Sequence, residues 1–493
     1  MFKRIKKFIR KPLLKMLEWT EKTSIPIPIK VTGDLLRKDI KIPVPIIAIF
    51  TYMSLLLMIS YELQLSFRGI TGFVIFICMA AVFVALYIKY FAPEFLEDDE
   101  GVMLTGLLVI FSIFATGAFK TQKLPFWIIP IPSVSILITL LVSPVISLLI
   151  TVILSICMAI LFDFSIYAFI FTMFCCLGSI FVTAKVRNRY DLVRIGYYII
   201  FTGICVAISF GLVQNWAFKE YIKVILFCLA NGIVSVMIVS ALLPYFEKVF
   251  SKTTAIRILE LGDFNQPLLK RLMLEAPGSY HHSLMVASLS EAAAEAVNAN
   301  PLLCRVGSYY HDIGKIAMPE YFIENQSGMP VKKSELKIQM SSFVIISHVK
   351  EGVRLANEYG IDSCIIDIIE QHHGTSLVHY FYIKALERGL AESEKSVYRY
   401  PGPRPRTKES AIIMLADAVE ATSRTLKDPS YKRVQEMVHK IINNKFIDGQ
   451  LDEVKLTLVD LNKIAERFAN RLAGIYHSRI VYPEMPGQQK AGK

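Results

Sequence analysis

Seven donor side chains stand out in the second half of this 493-residue sequence. They are His282 in YHHSLMVA, His311 and Asp312 in YYHDIGK, His348 in IISHVKEG, His372 and His373 in EQHHG, and Asp417 in MLADAVEA. Taken singly, each reads as an ordinary surface or packed residue, and one His-Asp dipeptide arises by chance. As a set they differ, because each lies on or beside a helical pattern next to small or apolar residues that turn it inward. Burying seven polar groups is costly unless they bind something. Imidazoles and carboxylates without thiolates suit manganese, iron or another borderline divalent ion better than a structural zinc site. Seven donors exceed what one ion with open positions needs, and they fit two ions sharing one carboxylate. Asp312 is the natural bridge, since a carboxylate has two oxygens and a neutral imidazole only one acceptor nitrogen. Two ions roughly 3.5–4 Å apart can activate a water and clamp the oxygens of an in-line displacement at phosphorus. The chemistry expected is therefore phosphohydrolysis.

Other residues carry less. Lys315, one turn after the His-Asp pair, is positioned to reach a substrate phosphate as a mobile cation, and a solvated helix lysine is its plain alternative. Arg424 lies two helical turns after Asp417 on the same face and is a candidate phosphate contact. His281 reads as a neighbour of the site and not a ligand, His379 as a structural residue with a place near the pocket as the alternative, and His439 and His477 as surface or packing residues. The eight cysteines include no CxxC pair and read as small apolar filler in a reducing compartment.

The segments around these residues, from 247 onward, repeat apolar positions at three- and four-residue steps and are rich in Ala, Glu and Leu, as in SLMVASLSEAAAEAVNA and ESAIIMLADAVEATSRTL. Alternating strands are scarce, and YPGPRPRTKES is a loop between helices. Upstream the pattern is different. Hydrophobic residues make up 54% of the chain and charged residues 19%, and the excess is concentrated between 43 and 246, which excludes a large soluble enzyme and a disordered chain. Apolar segments at about 44–62, 70–91, 103–119, 126–143, 145–162, 165–184, 194–214 and 222–246 are read as eight membrane spans. The net charge of +12 splits into +8 over residues 1–42, +1 over 43–246 and +3 over the remainder. The basic arm and the loop AKVRNRYDLVR place both termini in the cytoplasm of a multi-pass cell-membrane protein. The expected fold class is all-α: a basic arm over 1–43, a membrane domain over 44–246, an all-α catalytic domain over 247–483 and a tail over 484–493.

The order H…HD…H…HH…D resembles the HD-domain phosphohydrolase superfamily. The stretches LELGDFNQPLLKRLMLEAPGSYHHSLMVASLSEAAAE, YYHDIGKIAMPEYFIENQ, QHHGTSLVHYFY and YPGPRPRTKESAIIMLADAVEA are more closely similar to its seven-transmembrane, PgpH-type family of cyclic di-AMP phosphodiesterases. That resemblance implies hydrolysis of cyclic di-AMP to linear pApA at a binuclear centre. It assigns His282, His311, Asp312 and Asp417 to one ion, and Asp312, His348, His372 and His373 to the other, with manganese or iron as the metals. The expected partners are the dinucleotide and the lipid bilayer, not a DNA or RNA polymer, with a homo-oligomer or a membrane partner protein left open. Two departures stand out. Only a few residues separate the first two apolar segments, where the family places a large extracellular domain, and SGMPVKKSELKIQMSS replaces its Gly-rich loop near 326–341. The alternatives are another cyclic dinucleotide as substrate, although the glycine-tyrosine-proline motif of cyclic di-GMP hydrolases is lacking, and a receptor that binds nucleotide without cleaving it.

Overall fold

The computed structural model describes residues 66–326, 338–387, 392–426 and 430–477. The basic arm, the apolar segment at 44–62, most of 326–341 and the tail over 484–493 lie outside them. The described residues are helical and contain no strand beyond one isolated antiparallel bridge between Leu377 and Arg399.

Six helices are long and apolar enough to cross a membrane: α1 (Phe67–Phe91), α2 (Asp99–Thr121), α4 (Pro144–Leu161), α5 (Ile166–Thr183), α6 (Arg189–Gln214) and α7 (Phe218–Val249). The segment expected over 126–143 is shorter and broken. A 3₁₀ turn at Phe126–Ile128 leads into a ten-residue helix, α3 (Pro132–Leu141). Pro130 and Pro132 explain the break, since each lacks an N–H and its ring clashes with the preceding turn, while Pro132 suits the first turn of the helix it starts. Carbonyls left without helical partners inside a bilayer must be satisfied from elsewhere. Buried Asn231, on α7, meets that need by donating its amide to the carbonyls of Trp127 at 3.0 Å and Ile129 at 2.8 Å.

At one end of the bundle Lys120 pairs with the exposed Asp163 at 3.4 Å. The opposite end meets the helices that follow. Asp98 caps α2 through the Gly101 amide and pairs with Lys252 just beyond α7 at 2.5 Å. Arg189, at the start of α6, pairs at 2.7 Å with Glu260 on a short helix, α8 (Ala255–Leu261). The loops after α1 and α5 thus share a face with the second half of the chain.

That half comprises α8, α9 (Pro267–Glu275), α10 (Pro277–Ala296), α11 (Pro301–Tyr310), α12 (Ile338–Glu358), α13 (Ser363–Gln371), α14 (His379–Glu387), α15 (Lys408–Ser423), α16 (Tyr431–Ile447) and α17 (Leu458–His477). Leu289, Ile412, Leu415, Val438 and Phe468 join α10, α15, α16 and α17 in one apolar cluster. Leu261, Leu272, Val306, Tyr310, Ile365 and Ile369 join α8, α9, α11 and α13 in a second. Close approach of backbones tightens the junction. A Cβ on Gly314 would lie 1.8 Å from the His348 carbonyl oxygen, so only glycine lets the turn after α11 press against α12.

Candidate metal centre

The helices bring all seven sequence-predicted donors into one buried cluster. His282 projects from α10, His311 and Asp312 end α11, His348 lies on α12, His372 and His373 end α13, and Asp417 lies on α15. Their ligand atoms form two groups, Asp312 with His348, His372 and His373, and His282 with His311 and Asp417, each within 4.8 Å internally. Asp312 faces both. Its Oδ1 is 3.4 Å from His348 Nε2 and 3.8 Å from His372 Nε2. Its Oδ2 is 3.3 Å from His311 Nε2 and 3.6 Å from His282 Nε2. Asp417 lies 3.0 Å from His282 Nε2 and 3.6 Å from His373 Nδ1.

Helix geometry fixes the tautomers. His311, His348 and His372 each donate Nδ1–H to the carbonyl three residues back, Ser308 at 2.7 Å, Ile345 at 2.5 Å and Ile369 at 2.7 Å. Nε2 of each ring is left as a bare lone pair aimed at Asp312, the form a metal requires. His282 is oriented by a carboxylate instead, with Nδ1 2.5 Å from Glu420 Oε2.

Charges follow from these contacts. Burial opposes ionisation of Asp312, but the Lys315 ammonium and the surrounding imidazoles outweigh it and hold the carboxyl well below its usual range. Asp417 is likewise held down, against burial, by its bond from His282. Burial disfavours the His282 cation, yet Asp417 and Glu420 raise its pKa to about 10. Burial first, then His311 and His348, push His372 down to about 3, and His348 and His373 are lowered as well, chiefly by burial.

Two buried atoms, His311 Nε2 and Asp312 Oδ1, have no hydrogen-bond partner among the described residues. Orphaned buried acceptors carry a penalty of about 1–3 kcal/mol each unless something binds them. The donor set, its tautomers and these two atoms fit divalent cations, and HD-domain phosphohydrolases bind divalent metals.

Lys315 is already engaged, with Nζ 2.7 Å from Asp312 Oδ2, 2.7 Å from Glu324 Oε1 and 4.9 Å above the Phe322 ring. Arg424 is held by Glu420 at 2.6 Å and is partly exposed. His281 and His379 are exposed and outside the cluster, and His439 lies on a separate surface of α16. Sequence reasoning missed Glu420, although its spacing of three from Asp417 puts both on one face of α15. It also missed Glu324, the stacked Tyr400, and Lys445 on α16, which donates to Ser376 Oγ at 2.6 Å. None of these has a motif signal beyond the spacing of Glu420.

Residues 67–254 match a family model described as a 7TM receptor with intracellular HD hydrolase, and residues 279–422 match the HD domain. The chain is 38% identical over 434 residues to the cyclic-di-AMP phosphodiesterase PgpH of Bacillus subtilis, covering 85% of this chain and 60% of that protein. It is 44% identical over 242 residues to the PgpH of Listeria monocytogenes, covering 49% of this chain and 34% of that one. The chain thus spans less than two thirds of either relative. A crystal structure of the Listeria monocytogenes PgpH HD domain in complex with cyclic-di-AMP is 44% identical, with a TM-score of 0.42, covering 43% of this chain and all of that one.

Proposed function

The chain belongs to the seven-transmembrane proteins with an intracellular HD hydrolase, and from that membership we propose that it is a membrane-anchored, metal-dependent phosphodiesterase that opens cyclic di-AMP to pApA. The observation that carries the reading is the bridging disposition of Asp312, whose two oxygens face two separate histidine groups while one of them lacks any hydrogen-bond partner among the described residues. His282, His311, Asp312 and Asp417 would hold one divalent ion, and Asp312, His348, His372 and His373 the other. Manganese and iron suit this thiolate-free set best. Bound ions would supply an acidified water and neutralise charge on the phosphate.

The chain's own residues supply the rest. The backbone carbonyls of Ser308, Ile345 and Ile369 and the Glu420 carboxylate hold four imidazoles in the tautomer and orientation that present Nε2 to the centre. Lys315 offsets the negative charge of Asp312 and Glu324 at the rim, and a substrate phosphate would compete with Glu324 for its ammonium. Water adds to phosphorus and the bond to the 3′-oxygen breaks, with that oxygen taking a proton.

In the membrane, eight spans with the N-terminus and the HD domain both in the cytoplasm match the loop charges. The domain limits of the reading are 44–246 for the spans and 247–483 for the hydrolase. Incubating the purified protein with Mn²⁺ and, separately, cyclic di-AMP and cyclic di-GMP tests the function. Chromatography should show pApA from the first alone, and binding of cyclic di-AMP without cleavage would replace the enzyme with a receptor.

A further inference from the structure

The loop that joins α5 to α6 lies on the face that meets the hydrolase half, since Arg189 at its end pairs with Glu260 on α8. α5 therefore runs toward that face and α6 runs away from it. Lys185 follows the end of α5, and Arg194 lies in the second turn of α6. One turn deeper along each helix stands an aromatic ring, Phe181 four residues before Lys185 and Tyr198 four residues after Arg194. The two stripes line one groove of about 300 Å³, whose other walls are Val182, Val186 and Asp191.

The charges in this groove do not cancel. The Asp191 carboxylate is committed to the start of α6, where it accepts from the amides of Arg187 at 3.0 Å and Asn188 at 3.2 Å and reaches Arg194 Nη1 only at 3.5 Å. The exposed Lys185 ammonium makes no hydrogen bond or ion pair with any described residue. Two cations thus face one carboxylate at the hydrolase end, leaving one positive charge in excess. At the deeper end the rings turn outward, Phe181 73% and Tyr198 45% exposed. Loop cations alone would serve the charge asymmetry that orients membrane proteins. That asymmetry does not require them to converge from two helices on one groove that continues, apolar, into the membrane.

We infer that this groove seats an anionic phospholipid from the leaflet on the hydrolase side, its phosphate held by Lys185 and Arg194 and an acyl chain laid along Phe181 and Tyr198. Ammonium and guanidinium groups make charge-assisted hydrogen bonds to phosphate oxygens, and basic pockets between membrane helices take lipid headgroups in this way. The single negative charge of a phosphodiester matches the excess in the groove, and a zwitterionic lipid brings no net charge to it.

Native mass spectrometry of the full-length protein, in detergent micelles holding equal amounts of dioleoyl phosphatidylglycerol and dioleoyl phosphatidylcholine, tests the assignment. The wild type should retain phosphatidylglycerol in preference to phosphatidylcholine. Lys185→Gln and Arg194→Gln should each lower that preference roughly fivefold. Arg187→Gln is the control, because Arg187 is exposed in the same loop but does not line the groove, and it should leave the preference unchanged. Equal losses in all three variants would overturn the inference in favour of diffuse surface charge. No preference in the wild type, or an unaltered one in both Lys185→Gln and Arg194→Gln, would overturn it outright. Millimolar inorganic phosphate should not displace the retained lipid, and displacement would make the groove a site for free phosphate instead.

Discussion

His282 is where protons and metal would compete most directly. With Asp417 and Glu420 on its two nitrogens and a pKa raised to about 10, it is cationic at neutral pH in the metal-free protein. A metal ligand must be neutral, so loading should release close to one proton per chain from this residue. Calorimetry of Mn²⁺ binding at pH 7.5 in buffers of different ionisation enthalpy should register that proton, and Glu420→Gln should diminish it while weakening metal affinity by roughly 10- to 100-fold. Equal heats in all buffers would remove His282 from the ligand set. The other imidazoles lean the opposite way. His372 is held down to about 3, and His348 and His373 are lowered too, so the unfolded chain, with histidines near 6.5, binds protons that the fold refuses. Their contribution is whole above about pH 6.5 and is lost as pH falls toward 3. That of His282 is whole below about pH 6.5 and is lost as pH rises toward 10. The chelator-stripped protein should therefore melt highest near neutrality and fall off more steeply on the acid side, and a melting temperature still rising at pH 5 would contradict these assignments.

Helix placement turns seven scattered letters into one cluster, and Gly314 is its tightest tolerance. Gly314→Ala would drive a methyl into the His348 carbonyl and the Gly352 amide, both backbone, so neither can yield by a rotamer change. Overpacking of this kind costs about 1–3 kcal/mol, and here it separates Asp312 from His348. Circular dichroism melting with metal analysis should show both a lower melting temperature and reduced metal, and normal metal retention would mean the junction is softer than drawn. The candidate donors that the structure brings together were legible in the sequence because inward-facing histidines and aspartates at helical spacing have few other uses. Their supports were less so. Glu420 sits one turn from Asp417, but an acidic residue on a helix is usually solvated. Tyr400 and Lys445 reach the site from a proline-rich loop and from a helix that carries no ligand, and only tertiary structure brings them there. Arg424 shares the expected face of α15, yet Glu420 takes its guanidinium. In the membrane half the apolar runs marked the long helices, whereas the run over 126–143, expected as one span, is divided at Pro130 and Pro132 into a 3₁₀ turn and α3. That Asn231, about a hundred residues later, would satisfy the opened carbonyls had no local signal. Asn231→Leu should leave the Trp127 carbonyl unpaired in a buried setting and the Ile129 carbonyl with its bond from the Ile131 N–H alone among the described residues, lowering the detergent melting temperature of the full chain.

Across the molecule, α8 links the start of α6 in the membrane bundle to α11 and α13. Arg189 from the membrane bundle holds Glu260, Arg257 pairs with Asp362 at the start of α13, and the Leu261 carbonyl accepts from Tyr310, the residue before His311. Movement of the bundle therefore has a short covalent and polar route to both histidine groups. Reversing one charge, Arg189→Glu, should change turnover in lipid without changing metal content, and adding Glu260→Arg should restore it. An unaltered rate in the single variant would leave α8 as a strut. The account as a whole stands on Asp312 joining two sites into one centre. Its most direct test is the metal content of the purified, Mn²⁺-loaded chain beside that of Asp312→Ala, each checked for native helicity. Close to two ions per chain in the wild type and fewer than one in the variant is the predicted result. Two ions retained without Asp312, or a single ion in the wild type, would contradict it.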